Sequence, residues 1–367
     1  MKILYYLTPH GYGHAVRSCA VGNEFSPEVQ VVFRTLVPKK FFEEEIRRPF
    51  EYFPGQFDCG CIQSDSVTVN KRETLEAYMK LADVNASRLK EEVKWTLHQG
   101  ADGIVSDISP FAFEVAGKAG LPSVAVSNFS WYDIYEPYVK DYPAFEPYLL
   151  KIRQQDEMAG LLLELMPSTG MTHFRNRLKV PLVGGVGHNV RDRLQNHLGL
   201  KRGKYLALIY LGELGMGSGS WADLEKFGDW DFLGIYPIPG GPANYHLIRK
   251  VDFLYLDLVA SVEVMISKIG YGVFAQSLMH GTPLIYLARN DFAEFPVLEK
   301  GIMEWGHGYC LSREDYCNLN WKDVLQEVIS RKRPAPQISN GARICAREIE
   351  KFIRGPRKSS TKMGLHL

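Results

Sequence analysis

The feature of this sequence that most constrains its fold is the alternation of short apolar runs with stretches of helical periodicity. Residues 3–7, 29–33 and 103–105 are short apolar runs of the kind that form buried strands. Apolar side chains recur at helical spacing from 75 to 93, and 111–119 forms a second helical stretch. Strands that alternate with helices are typical of βαβ units. The pattern therefore predicts an α/β fold with mainly parallel sheets.

The alternation also predicts two domains. The 367 residues amount to more than twice a typical domain of about 150 residues. A polar, glycine-rich stretch interrupts the pattern between 179 and 203, and a new apolar run follows it at 205–210. We therefore place one domain at 1–180, a second at 200–335 and a final helix at 336–355. Open α/β sheets bind ligands at the carboxyl ends of their strands, so candidate site residues are expected there.

Composition narrows the class of protein. Lys and Arg number 43, Asp and Glu 42, and 46% of the residues are hydrophobic, which is typical of a globular protein. These values exclude wholesale disorder and a collagen-like fibre, and they indicate no general affinity for nucleic acid. No apolar run approaches the ~18 residues of a membrane-spanning helix, and the run at 3–7 is too short for a signal sequence. We therefore expect a cytoplasmic protein whose six cysteines, which lack the spacing of zinc ligands, are ordinary thiols.

The end of the sequence carries an excess of positive charge. From residue 331 onward it has ten Lys and Arg residues but only two Glu. One interpretation is a solvated helix and tail. The other is a surface that contacts anionic lipid at the inner face of a membrane, because clustered positive charge attracts such surfaces. The residues that would form this surface are Arg354, Arg357, Lys358 and Lys362.

The first motif that carries chemistry is His-Gly-Tyr-Gly-His at residues 10–14, between the first strand and the first helix. Glycines there let the backbone approach a ligand, and the free N–H groups of a helix start favour anions. His10 and His14 can act as a base or as a hydrogen-bond donor to phosphate. A tight turn with incidental histidines is the alternative. Arg17 stands where the dinucleotide fingerprint needs a third glycine, so a dinucleotide cofactor is not expected.

The second motif, Ser-Lys-Ile-Gly-Tyr-Gly at 267–272, again joins a strand to a helix. A Gly-x-Gly loop at a helix start forms a phosphate cradle, to which Lys268 adds a point charge, and a compact turn is the alternative. The polar loop at 289–294 follows the next strand, so both loops are expected at one edge of the sheet. The glycine-rich stretch 212–219 follows the strand at 205–210 and is either a wall against a diphosphate or a mobile loop.

Two more strand ends in the first domain carry polar or aromatic residues. Asp107 follows the strand at 103–105 and is a candidate to orient a catalytic histidine, or else a helix N-cap. Trp131 and Tyr132 come soon after Asn128 at the end of another strand. They are interpreted either as a platform for a sugar ring or as aromatic core.

These residues together resemble GT-B-fold glycosyltransferase-like proteins, in particular the glycosyltransferase-like N-terminal module of plant arabinokinase-type proteins and its stand-alone bacterial relatives. The motifs that carry the resemblance lie at 10–17, 105–107, 122–131 and 268–272, and the resemblance extends over 1–353. It implies two Rossmann-like domains whose parallel sheets face a central cleft. The first would hold the acceptor and the second the diphosphate of a nucleotide sugar, and the final helix would cross back to the first domain.

The resemblance implies an inverting, metal-independent glycosyltransferase that moves a sugar from a nucleotide-diphosphate donor, expected to be UDP-linked, to an acceptor hydroxyl. The acceptor would be a carbohydrate or a lipid-linked molecule, and no cofactor besides the nucleotide sugar is implied. Where relatives carry a glutamate for the donor ribose, this chain has the neutral Gln276. A non-catalytic nucleotide-sugar or carbohydrate-binding protein and a sugar epimerase are the alternatives.

The implied site residues fall into three groups by role. The catalytic group comprises His14, His10 and Asp107. Donor binding is assigned to Gly212, Ser267, Lys268, Gly270, Tyr271, Gly272, Gln276, Asp291 and Glu294. Acceptor binding is assigned to Gly11, Gly13, Asn128, Trp131 and Tyr132, and no residue is assigned to a metal.

Overall fold

The computed structural model describes residues 1–211 and 221–355, and this part of the chain forms two compact units. Of the described residues, the first unit comprises 1–62, 71–183 and 340–355, and the second comprises 63–70, 184–211 and 221–339. Each unit is built on one parallel sheet with helices. The predicted α/β class, with two Rossmann-like domains, is therefore confirmed.

The first 183 residues supply the sheet of the first unit. Their elements are, in chain order, β1 (Lys2–Leu7), α1 (Tyr12–Asn23), β2 (Gln30–Arg34), α2 (Lys39–Glu45), β3 (Phe50–Phe53), α3 (Lys71–His98), β4 (Gly103–Asp107), α4 (Phe111–Ala119), β5 (Ser123–Ser127), α5 (Trp131–Asp141), a 3₁₀ turn (Pro143–Phe145), α6 (Glu146–Asp156), β6 (Leu161–Leu165) and β7 (Arg177–Val180). The strands pair in parallel in the order β3-β2-β1-β4-β5-β6-β7. The central strands β1, β4 and β5 are almost wholly buried, as expected where helices cover both faces of a parallel sheet.

The chain from 184 onward supplies the second sheet. Its elements are α7 (Arg191–Leu198), β8 (Tyr205–Tyr210), a 3₁₀ turn (Trp221–Lys226), β9 (Trp230–Gly234), β10 (Tyr245–Leu247), α8 (Tyr255–Ser261), β11 (Val264–Lys268), α9 (Tyr271–His280), β12 (Leu284–Leu287), α10 (Phe295–Trp305), β13 (Gly308–Leu311), α11 (Arg313–Cys317), α12 (Lys322–Ser330) and α13 (Gly341–Arg354). The strands pair in parallel in the order β10-β9-β8-β11-β12-β13. One face of this sheet packs on an aromatic core that includes Trp221, Phe227, Trp230, Phe232 and Trp321.

Helix α13 is part of the first unit, although it follows the second sheet in the chain. Its apolar face is buried, and Glu350 accepts hydrogen bonds of 2.7 Å from both the backbone N–H and the hydroxyl of Ser26. Arg354 at its end forms a 2.8 Å ion pair with Glu28. Arg357, Lys358 and Lys362 lie outside the described residues, so the lipid-contact interpretation stays a prediction. None of the helices that the structure describes is both long and apolar enough to cross a membrane.

A short polar segment from the first half of the chain, residues 63–70, belongs to the second unit. Ser66 donates a 2.6 Å hydrogen bond to the carbonyl of Leu211, the residue after β8. Asp65 forms a 2.6 Å ion pair with Arg313, and Val67 packs against the aromatic core of the second sheet. The segment 63–70 therefore lies at the carboxyl end of β8.

Candidate functional site

The carboxyl edge of the first sheet brings together side chains that are far apart in the sequence. β1 and β4 are neighbours, with Leu7 paired with Asp107, so the turn at 10–14 reaches the end of β4. α1 begins within that turn, and His14 and Arg17 are both buried on it. His14 and Asp107, which are 93 residues apart in the chain, are therefore in direct contact.

Asp107 is the centre of this cluster and is fully buried. Its Oδ2 accepts a hydrogen bond from Arg17 Nε at 2.6 Å, and its Oδ1 accepts one from Arg17 Nη2 at 2.5 Å. Burial alone would raise the pKa of this carboxyl, but the charges of Arg17 and His14 outweigh it and lower the pKa of Asp107 to about 2. At neutral pH Asp107 is therefore a carboxylate, which can only accept hydrogen bonds.

The carboxylate fixes the position of the hydrogen on a neutral His14 ring. His14 Nδ1 lies 2.7 Å from Asp107 Oδ1, so Nδ1 must carry the hydrogen and Nε2 has the lone pair. Arg17 Nη2 also lies 2.9 Å from Nδ1, but its hydrogens are directed to Asp107 and to the hydroxyl of Ser127, because a protonated Nδ1 cannot accept. This arrangement equips His14 Nε2 to take a proton from a substrate.

His10, the other histidine of the turn, is held as the opposite tautomer. The backbone N–H of Cys61 donates to His10 Nδ1 at 3.2 Å, so a neutral His10 carries its hydrogen on Nε2. Gly60 has a φ of +62°, and a Cβ there would lie 2.3 Å from the His10 ring, so only glycine fits. Trp131 meets the His10 ring edge to face, with 5.4 Å between ring centroids. Sequence reasoning missed this loop because Cys61 is 51 residues from His10 and no local pattern links them.

Two of the residues assigned to acceptor binding, Trp131 and Asn128, are buried in the first unit. Trp131 is fully buried and stacks on Tyr135, so it belongs to the aromatic core and cannot offer a face to a sugar ring. Asn128 is also buried, and its Oδ1 accepts a 2.7 Å hydrogen bond from Arg17 Nη1. Asn128 therefore orients Arg17 within the cluster. Tyr132 is half-buried and packs against His173, with 5.0 Å between ring centroids.

The glycines of the turn at 10–14 leave space for a ligand. Gly11 and Gly13 are exposed, and no atom of the described residues lies within 4 Å of the place where a Cβ on either would be. A ligand can therefore approach the backbone of the turn without displacing any atom of residues 1–211 or 221–355. The acceptor-binding role of both glycines stays a prediction.

In the second unit, the turn at 267–272 lies at the carboxyl end of β11, where α9 begins. Gly270 is the N-cap of α9, and as a glycine it has no side chain to cap this helix start, where the positive end of the helix dipole favours an anion. Ser267 is buried, and its hydroxyl donates to the carbonyl of Tyr210 at the end of β8. Tyr271 and Gln276 are buried on α9, whereas Gly272 is half-buried.

Two cations lie at this helix start. Arg289 is buried, and its Nη1 lies 3.9 Å from the place where a Cβ on Gly270 would be. Burial first, and then the charge of Arg289, lower the pKa of Lys268 to about 7, while Asp65 and Glu294 act in the opposite direction. The sequence analysis assigned Lys268 and Glu294 to donor binding. It gave no role to Arg289, which was noted only as the first residue of the polar loop 289–294, or to Asp65, which lies in the distant segment 63–70.

The remaining donor-binding residues are placed as follows. Glu294 is buried at the N-cap of α10, and Asp291 is half-buried in the preceding loop. Gly212 lies outside the described residues. Over 1–211 and 221–355 no group of three or more His, Cys, Asp or Glu side chains is arranged to hold a metal ion. The donor-binding roles stay predictions.

Comparison with known sequences gives one informative relative. No protein-family model matches the chain. The chain is similar to L-arabinokinase of Arabidopsis thaliana, with 30% identity over 369 residues. This match covers 98% of the chain but 35% of that protein, so the chain spans about a third of the length of the relative.

Comparison with solved structures concerns the fold. The glycotransferase of kitacinnamycin matches with a TM-score of 0.62 and 15% identity over 96% of this chain and 95% of that one. The calicheamicin glycosyltransferase CalG4 matches with a TM-score of 0.59 and 14% identity over 96% and 94%. A UDP-glucosyltransferase from Polygonum tinctorium matches with a TM-score of 0.59 and 12% identity over 97% and 99%. The two parallel-sheet units of this chain therefore form the GT-B fold that its motifs predicted.

Proposed function

We propose that this protein is an inverting glycosyltransferase that transfers a sugar from a UDP-linked donor to a hydroxyl group of an acceptor. The observation that carries the proposal is the His14–Asp107 pair, in which a buried carboxylate fixes Nδ1–H and leaves Nε2 as the base. The fold supports the reaction class, and one structural neighbour is named as a UDP-glucosyltransferase. L-arabinokinase, the sequence relative, is also named for a reaction on a sugar.

The proposed step is a single displacement at the anomeric carbon. His14 Nε2 takes the proton of the acceptor hydroxyl, and the oxygen forms a bond to the anomeric carbon. The bond between that carbon and the diphosphate oxygen breaks, and the nucleoside diphosphate leaves with the electron pair. Attack from the side opposite the leaving group inverts the configuration of the anomeric carbon.

Negative charge grows on the leaving diphosphate, and the start of α9 has groups that can stabilise it. The helix start at Gly270, the Lys268 side chain at the end of β11 and Arg289, whose Nη1 lies 3.9 Å from the place of a Cβ on Gly270, would supply positive charge. Positive charge supplied in this way serves the purpose that a divalent cation serves in other transferases. The proposal therefore includes no metal ion.

The experiment is an assay of nucleotide release and product formation. The full chain is incubated with UDP-, GDP- and ADP-sugars, each with and without a mixture of sugars and sugar lipids as acceptors. We expect UDP release that depends on an acceptor, together with a product heavier than the acceptor by one sugar. Binding of UDP-sugars without release would favour a non-catalytic binding protein, and an epimerised sugar nucleotide would favour an epimerase.

A further inference from the structure

A buried carboxyl that the proposed mechanism does not use lies behind His10. Asp58 is fully buried in the loop between β3 and α3. Its Oδ1 accepts a 2.5 Å hydrogen bond from the hydroxyl of Thr8, and the hydroxyl of Ser109 and the backbone of Gly60 lie close enough to lower its pKa. A carboxyl buried without a cationic partner destabilises a fold. Stability of the first unit alone therefore does not explain Asp58.

Thr8 connects Asp58 with both histidines of the turn. The Thr8 hydroxyl donates to Asp58 and accepts a 3.2 Å hydrogen bond from the backbone N–H of His10. The backbone N–H of Thr8 donates to the carbonyl of Asp107 at 2.8 Å, and the carboxylate of Asp107 holds His14. The hydroxyl of Thr8 thus links the buried carboxyl of Asp58 to the backbone N–H of His10.

The loop 58–61 holds His10 at a second point. It begins at Asp58 and ends at Cys61, whose backbone N–H donates to His10 Nδ1 at 3.2 Å. Between them, the carbonyl of Gly60 accepts a 2.6 Å hydrogen bond from the hydroxyl of Tyr135. The anchor of this loop at Asp58 therefore sets where the N–H of Cys61 points, and with it which nitrogen of His10 is protonated.

The two histidines lie along one pair of aromatic rings. Phe129 and Trp131 are in contact, with 5.3 Å between their centroids. His14 meets Phe129 edge to face at 5.5 Å, and His10 meets Trp131 edge to face at 5.4 Å. The two imidazoles, which are opposite tautomers, thus pack against the same pair of aromatic rings.

We propose that Asp58 is a positioning residue that, through Thr8 and the loop 58–61, holds His10 as a hydrogen-bond donor through Nε2–H, complementary to the His14 base. The chemical meaning of this assignment rests on the proposed function. A carbohydrate acceptor gives the proton of one hydroxyl to His14 Nε2, and another of its oxygens accepts from His10 Nε2–H. Neither Asp58 nor His10 forms a covalent bond in this scheme.

The ionisation of Asp58 agrees with a positioning role. Burial raises the pKa of Asp58 to about 7; the Thr8 and Ser109 hydroxyls and the backbone of Gly60 oppose the rise, while the negative charge of Asp107 adds to it. Below that pH the carboxyl is neutral, with its proton on Oδ2, because Oδ1 accepts from Thr8. A neutral carboxyl can keep the Thr8 hydrogen bond without placing an uncompensated charge in the core.

The test is the tautomer of each histidine, read by long-range ¹H–¹⁵N NMR of the full chain with ¹⁵N-labelled histidine at pH 7.5. The variants His10→Gln and His14→Gln assign the two rings. We expect hydrogen on Nε2 of His10 and on Nδ1 of His14. A His10 ring with its hydrogen on Nδ1, or with both nitrogens protonated, would overturn the proposal.

Substitutions at Asp58 test the route through Thr8. Asp58→Ala is expected to abolish the single-tautomer pattern of His10 and leave His14 unchanged, whereas Asp58→Asn, which can still accept from Thr8, is expected to preserve both. Thr8→Val keeps the shape of the side chain but removes the hydroxyl, so it should have the same effect on His10 as Asp58→Ala. It therefore tests the role even if Asp58→Ala does not fold.

The matched control is the substitution Asp156→Asn. Asp156 is a second fully buried carboxyl of the first unit, and burial raises its pKa to about 6. An unchanged His10 in both Asp58→Ala and Thr8→Val would refute the role.

Kinetics separate this inference from the proposed function. With an acceptor that is turned over, His10→Ala should raise the acceptor KM about tenfold, the worth of one lost hydrogen bond, with a much smaller change in kcat. His10→Gln, whose amide N–H replaces Nε2–H, should restore most of that loss. If no nucleotide sugar is turned over but the tautomers are as expected, the proposed function fails and the assignment of Asp58 stands.

Discussion

Arg17 makes the His14–Asp107 pair unlike a histidine with a lone carboxylate. Its guanidinium binds both oxygens of Asp107, at 2.6 and 2.5 Å, and all three groups are buried. A carboxylate that is already paired with a guanidinium stabilises a developing imidazolium less than an unpaired one does. The main contribution of Asp107 to His14 is therefore orientation and choice of tautomer, and Arg17 keeps Asp107 ionised so that this choice is fixed.

At the scale of single residues, the first prediction concerns the base. His14→Ala should lower kcat by about 10²–10⁴-fold, the usual contribution of a general base. The affinity for UDP-sugar should stay nearly unchanged, because the helix start of α9 is in the other unit. Single-turnover rates and calorimetric titration measure the two quantities. His188→Ala, an exposed histidine of the second unit, is the control, and an equal loss of turnover in it would show that the effect is not specific.

A second prediction at this scale follows from the lowered pKa of Lys268. Lys268 is charged below about pH 7, and an anion favours the charged form, so binding above pH 7 must take up a proton. The Kd for UDP-glucose should therefore be about tenfold weaker at pH 8 than at pH 6. UDP-glucose suits the measurement because its diphosphate carries no proton in this range.

Variants of Lys268 show whether this residue causes the pH dependence. Lys268→Arg, which stays charged, should bind UDP-glucose with an affinity that does not change between pH 6 and pH 8. Lys268→Gln should bind weakly at both pH values. A wild-type Kd that is the same at pH 6 and pH 8 would contradict the assignment.

At the scale of elements, the start of α9 is the feature on which the proposed donor binding depends. Gly270 has an extended backbone that any residue adopts, and in the described part of the chain no atom lies closer than 3.9 Å to the place of its Cβ. Gly270→Asp should therefore fold, but its carboxylate would pair with Arg289 and repel a diphosphate. We expect UDP-glucose affinity to fall by at least about 100-fold, as several charge-assisted contacts are lost. Gly228→Asp, at an exposed glycine of the same unit with open space around it, should bind normally.

The sequence predicted helices and strands better than it predicted which distant residues contact each other. The apolar run at 3–7 became β1, and the helical stretch at 111–119 became α4, because both are set by local periodicity. The turn at 10–14 was found from its glycines and histidines, which stand between a predicted strand and a predicted helix. The groups that orient its histidines were not all found, since Asp58 and Cys61 reach them across about 50 residues of chain. Such pairings depend on the register of neighbouring strands, which periodicity does not contain.

At the scale of the whole molecule, neither unit is a continuous stretch of chain. The first unit takes α13 from beyond the second sheet, and the second unit takes the segment 63–70 from between β3 and α3. The polar sequence of that segment gives no sign of this. Its place depends on contacts with residues far away in the chain. Ser66 hydrogen-bonds to Leu211, Asp65 and Thr68 both hydrogen-bond to Arg313, and Val67 packs against the aromatic core.

The return of α13 to the first unit gives a prediction about where stability resides. Ile353 is buried, and its side chain fills the space beside Gly103, where a Cβ would lie 2.7 Å away. Ile353→Ala should cost about 2–5 kcal/mol of unfolding free energy. The loss should appear in the first unit alone, as faster hydrogen exchange in β1, β4 and β5 but not in β8 and β11. Ile338→Ala, at a fully exposed isoleucine just before the helix, should change neither. An equal loss of protection in both sheets would mean that the two units unfold together.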